Sequence, residues 1–208
     1  MAVAMSGGVD SSTAAYLLKK SGYDVIGITM KLWEENGKCC SLADIRDVQR
    51  VAHKLSIPIY TLDLTEYFKK EVIEYFCQEY LNARTPNPCI VCNEKIKFGI
   101  LLKKAKEFDA LFIATGHYAG VFFDPSVKRY CLKKGKDPRK EQSYFLFSLS
   151  QEKLSRAIFP LADLTKKQVR QIAAEAKLPV HDKKESQEIC FVSQKNYNEF
   201  LRKKIPEC

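Results

Sequence analysis

An α/β protein built on a doubly wound parallel sheet is the fold this sequence predicts, and three observations lead there. Short Val/Ile-rich runs alternate with segments of helical periodicity through the first part of the chain. The first apolar run, residues 2–5, ends in Ser6-Gly7-Gly8-Val9-Asp10-Ser11-Ser12, a glycine turn that opens into a helical pattern. The loop after Met30 and the turn Gly116-His117-Tyr118 fall at the carboxyl ends of later predicted strands, the edge where such sheets bind ligands.

The elements follow in order. Residues 2–5 read as a strand and 11–20 as a helix with Ala14, Ala15, Leu17 and Leu18 on one apolar face. Residues 24–30 make a second strand, followed by a polar loop over 33–40. Ser41 with Asp44 forms a capping pair for a helix to about Leu55. Residues 58–63 are a third strand, 67–81 a helix, and 83–92 a loop with two prolines. Residues 93–107 read as a helix and 110–115 as a fourth strand. Beyond Tyr118 the pattern changes. Residues 121–123 and 129–132 pair as a hairpin about Asp124-Pro125-Ser126, and the charged run 133–141 reads as a solvated loop. Short helices follow, one capped by Ser150 and one by Thr165, the latter with Val169, Ile172, Ala173 and Ala176 on one face. The expected division is an α/β domain over residues 1–135 and a smaller, mostly helical C-terminal extension over 136–208.

A chain of 208 residues holds one full core and at most a small appended unit. It has no apolar run near the ~18 residues of a membrane span and no signal-peptide pattern, so a cytoplasmic protein with no membrane partner is expected. A net charge of +9 suits a polyanion, nucleic acid first. By itself that charge fits a solvated basic surface equally well. Eight cysteines in such a chain point to chemistry, metal binding or packing rather than to a disulfide framework. Cys77 and Cys131 fall in apolar patterns and read as packing; the role of Cys39 and Cys40 is open.

The glycine turn carries anion chemistry. Two adjacent glycines admit a phosphate without a Cβ in the way, and Ser11 and Ser12 place hydroxyls near the positive helix end. No lysine follows, so this is not the Gly-x-x-x-x-Gly-Lys-Ser/Thr loop. It resembles the pyrophosphate loop of the N-type ATP pyrophosphatases, Rossmann-like enzymes that split ATP into AMP and pyrophosphate to adenylate a substrate. The other dense chemistry is Thr85-Pro86-Asn87-Pro88-Cys89-Ile90-Val91-Cys92-Asn93. Here Cys92 is expected at a helix start, where the dipole favours a thiolate suited to a nucleophile or sulfur carrier. Half of a zinc site and a chance pair of cysteines in a turn are the competing readings.

Taken together, these motifs resemble the tRNA-specific 2-thiouridylase family. The resemblance runs through Ala4 to Ser12, Met30-Lys31-Leu32-Trp33, Thr85 to Asn93, Ile96-Lys97-Phe98, Ala114 to Tyr118, Gln142 to Leu146 and Glu188-Ile189-Cys190-Phe191. It implies ATP on Ala4, Met5, Ser6, Gly7, Gly8, Val9, Asp10 and Ser11, with Met30 against the adenine and Gly116 beside the nucleotide. Asp10 is the candidate contact for Mg2+. Cys92 is implied as the attacking cysteine. Cys190 is implied to carry a persulfide or to pair with Cys92 in a disulfide during turnover. Asn87, Pro88 and Cys89 match the segment near the target base, and Lys140, Glu141 and Gln142 a tRNA-contacting stretch. The implied reaction adenylates O2 of the wobble uridine and then attacks C2 with sulfur. The implied partners are tRNA and a sulfur donor, either a cysteine desulfurase, a relay protein or sulfide.

Two departures stand out. Many members of the family carry Asp where this chain has Cys89. They also continue into a central domain and a C-terminal β-barrel that are absent here, so the sequence reads as the ATPase and cysteine region alone. Cys89 opens three readings: a [4Fe–4S] cluster on Cys89, Cys92 and Cys190, which the extra soft ligand favours; zinc with an open fourth position; or a Cys92–Cys190 disulfide with Cys89 a bystander. Rival functions are another adenylating tRNA-modifying enzyme, of the 4-thiouridine or lysidine type, and a non-catalytic RNA- or metal-binding module. His117 either orients a phosphate or base or is structural, and Trp33 is open. His53 and His181 read as surface residues. Tyr144, Phe145 and Phe147 read as core packing ahead of stacking on a base.

Overall fold

Strand β1 (Ala2–Ala4) is buried on both faces: Ala2 and Ala4 enter one apolar cluster, and Val3 enters a second together with Met5 just beyond the strand. The computed structural model describes residues 1–33, 42–185, 189–192 and 197–204, so Ser41, Cys39 and Cys40 lie outside the described residues. The other strands are β2 (Ile26–Lys31), β3 (Ile59–Asp63), β4 (Ile113–Ala114), β5 (Ala119–Asp124), β6 (Arg129–Lys134) and β7 (Ala157–Ile158). Five of them form one sheet in the order β3-β2-β1-β4-β7, with every pairing parallel. β5 and β6 form a separate antiparallel hairpin, with Val121 opposite Leu132.

Helices cover both faces. On the Val3 side, α1 (Val9–Lys20) contributes Ala15 and Leu18, and α2 (Leu42–Leu55) contributes Val48, Val51 and Ala52. On the other side, α3 (65–81) contributes Phe68, Val72, Ile73 and Phe76, and α4 (88–106) contributes Ile96, Phe98 and Leu101. Both of these helices hold a wider-wound π stretch, at Lys69–Glu74 and Cys92–Ile100. The doubly wound expectation is met.

The chain beyond residue 135 folds back onto this core. A 3₁₀ turn (Ser143–Leu146) and α5 (Gln151–Leu154) precede β7, which extends the sheet next to β4. Next comes α6 (Lys166–Glu175), opened by the Thr165–Gln168 capping box. Its Val169 and Ala173 pack with Ala14 and Val9 of α1. Last is α7 (Tyr197–Lys204). Among the described residues no helix is long and apolar enough to cross a membrane.

Several boundaries shift from expectation, among them the fourth strand, which covers only Ile113–Ala114 of 110–115, and two of the shifts have local reasons. α1 begins at Val9 rather than Ser11, because Gly8 in extended backbone (φ −94°, ψ 163°) serves as the N-cap. α4 begins at Pro88 rather than Asn93. Asn87 caps it by accepting the Cys89 N–H at 3.1 Å, and Pro88 takes the first helical position, where no N–H is needed.

Candidate nucleotide and cysteine site

The glycine turn leaves β1 and is clamped from two sides. Gly7 has a left-handed φ of +74°, and a Cβ there would meet the Asp44 carbonyl oxygen of α2 at 2.6 Å. A Cβ on Gly116 would lie 2.7 Å from the Ser11 nitrogen and 2.8 Å from the Asp10 carbonyl carbon. Inside the loop, the Ser11 hydroxyl accepts the Ser6 N–H at 3.2 Å, lies 3.3 Å from the Ser6 hydroxyl and donates to the Gly8 carbonyl at 3.3 Å. The Ser12 hydroxyl is buried without a hydrogen-bond partner among the described residues. The first-turn amides of α1 have no acceptor within the helix, so the loop ends in a positive pole. Ala4 and Met5 are buried at the root of the loop, and Met30 is buried near the carboxyl end of the neighbouring β2. The structure therefore gathers Ala4 to Ser11 and Gly116 at one sheet edge, with Met30 one strand away.

Asp10 does not stand alone there. Its two oxygens lie 2.7 Å from the Lys166 ammonium, and Oδ1 also accepts the Tyr118 hydroxyl at 2.7 Å. Lys166 reaches Glu185 Oε1 at 2.9 Å, and Lys140 donates to Glu185 Oε2 at 2.5 Å. Burial raises the Glu185 carboxyl, but hydrogen bonds and charge from Lys140 and Lys166 outweigh it and hold the group at about 2. Burial and the Asp10 charge push the Tyr118 phenol far up, so it stays protonated and donates. Sequence reasoning placed Tyr118 at this edge without giving it a role, and missed Lys166 and Glu185. A magnesium ion does not fit Asp10 as placed: an ammonium and a phenol already engage the carboxylate.

The cysteine segment also differs from expectation. Because α4 starts at Pro88, Cys92 sits one turn inside the helix, where the π stretch begins, and Cys89 takes the place in the first turn. The dipole argument made for Cys92 therefore passes to Cys89. Cys89 is an exposed residue, yet protein atoms crowd its thiol. That desolvation and the nearby Cys190 thiol raise its pKa against the pull of Lys97. Cys92 and Cys190 both pack against the main core cluster. Phe191 anchors the Cys190 segment on α3, its ring 5.8 Å from Phe68 and 5.3 Å from Phe76. Among the described residues, no group of three or more His, Cys, Asp or Glu side chains is arranged to hold a metal ion.

The remaining expected residues take varied places. Gln142 Oε1 accepts the Tyr118 N–H, Glu141 accepts the Ser143 N–H, and Lys140 is paired with Glu185. The 133–141 run is only partly solvated: Asp137 is buried and accepts the Lys166 and Arg139 amides. His117 is buried, with Nδ1 2.7 Å from the Thr115 hydroxyl, and burial lowers its pKa well below the usual imidazole value. His53 and His181 are exposed as expected, and Trp33 is buried. Tyr144 and Phe147 correct the packing expectation: both are exposed, three residues apart on a 3₁₀ turn whose buried side is taken by Leu146. Asn93 ties this turn to α4 by donating to the Phe145 carbonyl at 3.0 Å.

Comparison with known proteins agrees with this architecture. The chain is 51% identical over 211 residues to tRNA-specific 2-thiouridylase MnmA 1 of Caldanaerobacter subterraneus, covering 98% of this chain and 58% of that protein. It is 50% identical over 207 residues to tRNA-specific 2-thiouridylase MnmA of Clostridioides difficile, covering 97% and 57%. The chain thus spans somewhat under three fifths of these relatives. In fold it resembles NMN synthetase of Francisella tularensis, with a TM-score of 0.56 and 18% identity over 95% of this chain and 70% of the other. It also resembles the U34-tRNA thiolase NcsA of Methanococcus maripaludis, solved with its [4Fe–4S] cluster, with a TM-score of 0.53 and 20% identity over 99% and 66%. The family of the tRNA methyl transferase HUP domain matches residues 1–194, a parallel sheet with the glycine turn at its edge, and the chain belongs to that family.

Proposed function

We propose that this chain is the nucleotide- and cysteine-bearing part of an enzyme that uses ATP to thiolate the wobble uridine of tRNA. The observation that carries the proposal is 51% identity, across nearly the whole chain, to a protein named as a tRNA-specific 2-thiouridylase. The loop geometry supports it: a positive helix end and glycines where side chains would collide with backbone. In this proposal residues 1–135 hold the nucleotide and 136–208 bring Cys190. The reaction takes place in the cytoplasm.

ATP lies with its phosphates on Ser6 to Ser11, its adenine by Met30, and Gly116 alongside. The uridine O2 attacks the α-phosphorus, the bond to pyrophosphate breaks, and the base becomes an O2-adenylate. The loop amides stabilise charge as pyrophosphate leaves. A persulfide on Cys190, loaded by a cysteine desulfurase, a relay protein or sulfide with an oxidant, then attacks C2 through its outer sulfur, and AMP departs. The Cys92 thiolate attacks the Cys190 sulfur. This leaves one sulfur on the base and a Cys92–Cys190 disulfide, which a dithiol reductant opens. Asn87, Pro88 and Cys89 border the flipped base, and Lys140, Glu141 and Gln142 lie toward the tRNA. A cluster-bound sulfide on Cys89, Cys92 and Cys190 is the alternative carrier.

The test is pyrophosphate release and sulfur incorporation with ATP, tRNA and a persulfide source. Cys92→Ala and Cys190→Ala should keep tRNA-dependent pyrophosphate release while losing sulfur transfer. Absence of pyrophosphate release from the unaltered protein would mean a binding module. Full sulfur transfer by both variants would remove the cysteine relay.

A further inference from the structure

Two aromatic rings project from the surface beside the cysteine helix. Tyr144 is 63% and Phe147 64% exposed. They lie three residues apart on the 3₁₀ turn, a spacing at which side chains eclipse, and their ring centroids are 5.9 Å apart with planes tilted by 39°. Phe145 meets the Tyr144 ring edge-on at 5.8 Å. The surrounding chain is braced against α4 at the two residues that follow Cys92. Asn93, itself only 2% exposed, donates to the Phe145 carbonyl at 3.0 Å, and Lys153 of α5 donates to the Glu94 carbonyl at 2.9 Å. The rings therefore hold a fixed place relative to the Cys92 helix. Leu146 and Leu149 turn inward, and the other neighbours are Ser143, Ser148 and Ser150, so the surface is a flat π face with a polar rim. The exposed cations Lys136 and Arg139 lie on the segment that leads into it. A protein partner calls for a larger, contiguous apolar core. Bare rings beside basic residues are the surface that takes unpaired nucleobases.

We infer that Tyr144 and Phe147 form a stacking platform for an unpaired base of the RNA substrate, one that neighbours the uridine to be thiolated. This rests on the tRNA reading above. Extruding the target base breaks its stacking with the bases on either side. A ring pair fixed to the Cys92 helix replaces one of those stacks, and the same contact sets how far the RNA loop stands from the cysteine. Every base has a π face, so the platform selects an unpaired nucleotide at that place rather than a particular base.

The test uses two anticodon stem-loop RNAs with fluorescent 2-aminopurine on the 5′ or the 3′ side of the wobble uridine. Binding and fluorescence are measured with the unaltered chain, Tyr144→Phe, Tyr144→Ala, Phe147→Ala and Phe147→Leu, with thermal unfolding of each. Stacking dims the probe, so one of the two RNAs should lose fluorescence on the unaltered chain and on Tyr144→Phe. Each alanine variant should bind about fivefold or more weakly and restore the fluorescence, with the salt slope unchanged because no phosphate contact is lost. Phe147→Leu keeps apolar bulk without the ring and should behave as Phe147→Ala does. Both RNAs staying bright, or full affinity in Phe147→Leu, overturns the inference. Alanine variants that bind RNA as the unaltered chain does also overturn it, and would mean that a protein segment covers the rings. Both rings lie outside the core, so unfolding temperatures should not move; a fall that accounts for the lost affinity would make the rings structural and overturn it as well. If the unaltered chain binds neither RNA with ATP present, the tRNA reading itself fails, and the inference with it.

Discussion

Gly116 presses on Ser11 so closely that a Cβ at 116 would fall 2.7 Å from the Ser11 backbone nitrogen. Backbone, not a flexible side chain, fills that space, so the clash cannot be relieved locally. Gly116→Ala should push the end of β4 away from α1, cost about 1–3 kcal/mol of stability and weaken ATP binding. Urea unfolding and ATP titration measure both; a variant with unchanged midpoint and affinity would contradict the packing.

Glu185 gives a pH signature. Its folded carboxyl is held at about 2 against an ordinary 4.5, so its contribution is complete above the unfolded value and is lost as pH falls from there toward 2. Glu185→Gln should therefore be less stable than the unaltered protein at pH 7, with the gap shrinking below about pH 5 and closing near pH 2. Unfolding series at pH 7, 5 and 3 decide the matter. A gap that is constant with pH would remove the ion pairs as its source.

Asn87 starts α4. Losing its cap in Asn87→Ala should cost about 1 kcal/mol and fray the first turn. With the turn frayed, the Cys89 thiol loses the crowding that now raises its pKa. Faster alkylation of Cys89 at neutral pH, read by mass spectrometry, is the expected result; an unchanged rate would show that the cap does not govern that thiol.

The basic segment divides into two kinds of residue. Lys136 and Arg139 are exposed, whereas Lys140 is tied to Glu185. If the exposed pair contacts tRNA phosphates, neutralising each should reduce the salt slope of tRNA binding by about one. Lys140→Ala should instead lower thermal stability. Slopes that do not move for Lys136→Ala and Arg139→Ala would make that pair ordinary solvated surface.

What the sequence revealed follows the range of the interactions. Strands β1 to β3, the glycine turn and the Thr165 cap are written in residues a few positions apart, and they appear nearly as expected. The start of α4 was missed because Asn87-Pro88 reads as a loop when prolines are taken only as breakers; the pair is also a cap followed by a first-position proline. Tyr144 and Phe147 look like core residues in composition, and only the tight 3₁₀ turn places them outside. Lys166 and Glu185 left no periodic trace, since their partners are set by tertiary folding. One signal was available: a phosphate loop without a lysine invites a search for a lysine elsewhere.

The late return of the chain to its own beginning also bears on how the protein is made. β4 is two residues long, and its outer neighbour β7 comes from residues 157–158. Asp10 meets its ammonium only when residue 166 has been added. At ribosomal rates of about 5–20 residues per second, the turn waits about 8–30 s after its own synthesis before its counter-charge exists. Through that interval the Tyr118 hydroxyl can reach Asp10 but the ammonium cannot, and β4 lacks its outer neighbour. The turn thus gains its counter-charge late, when α6 docks.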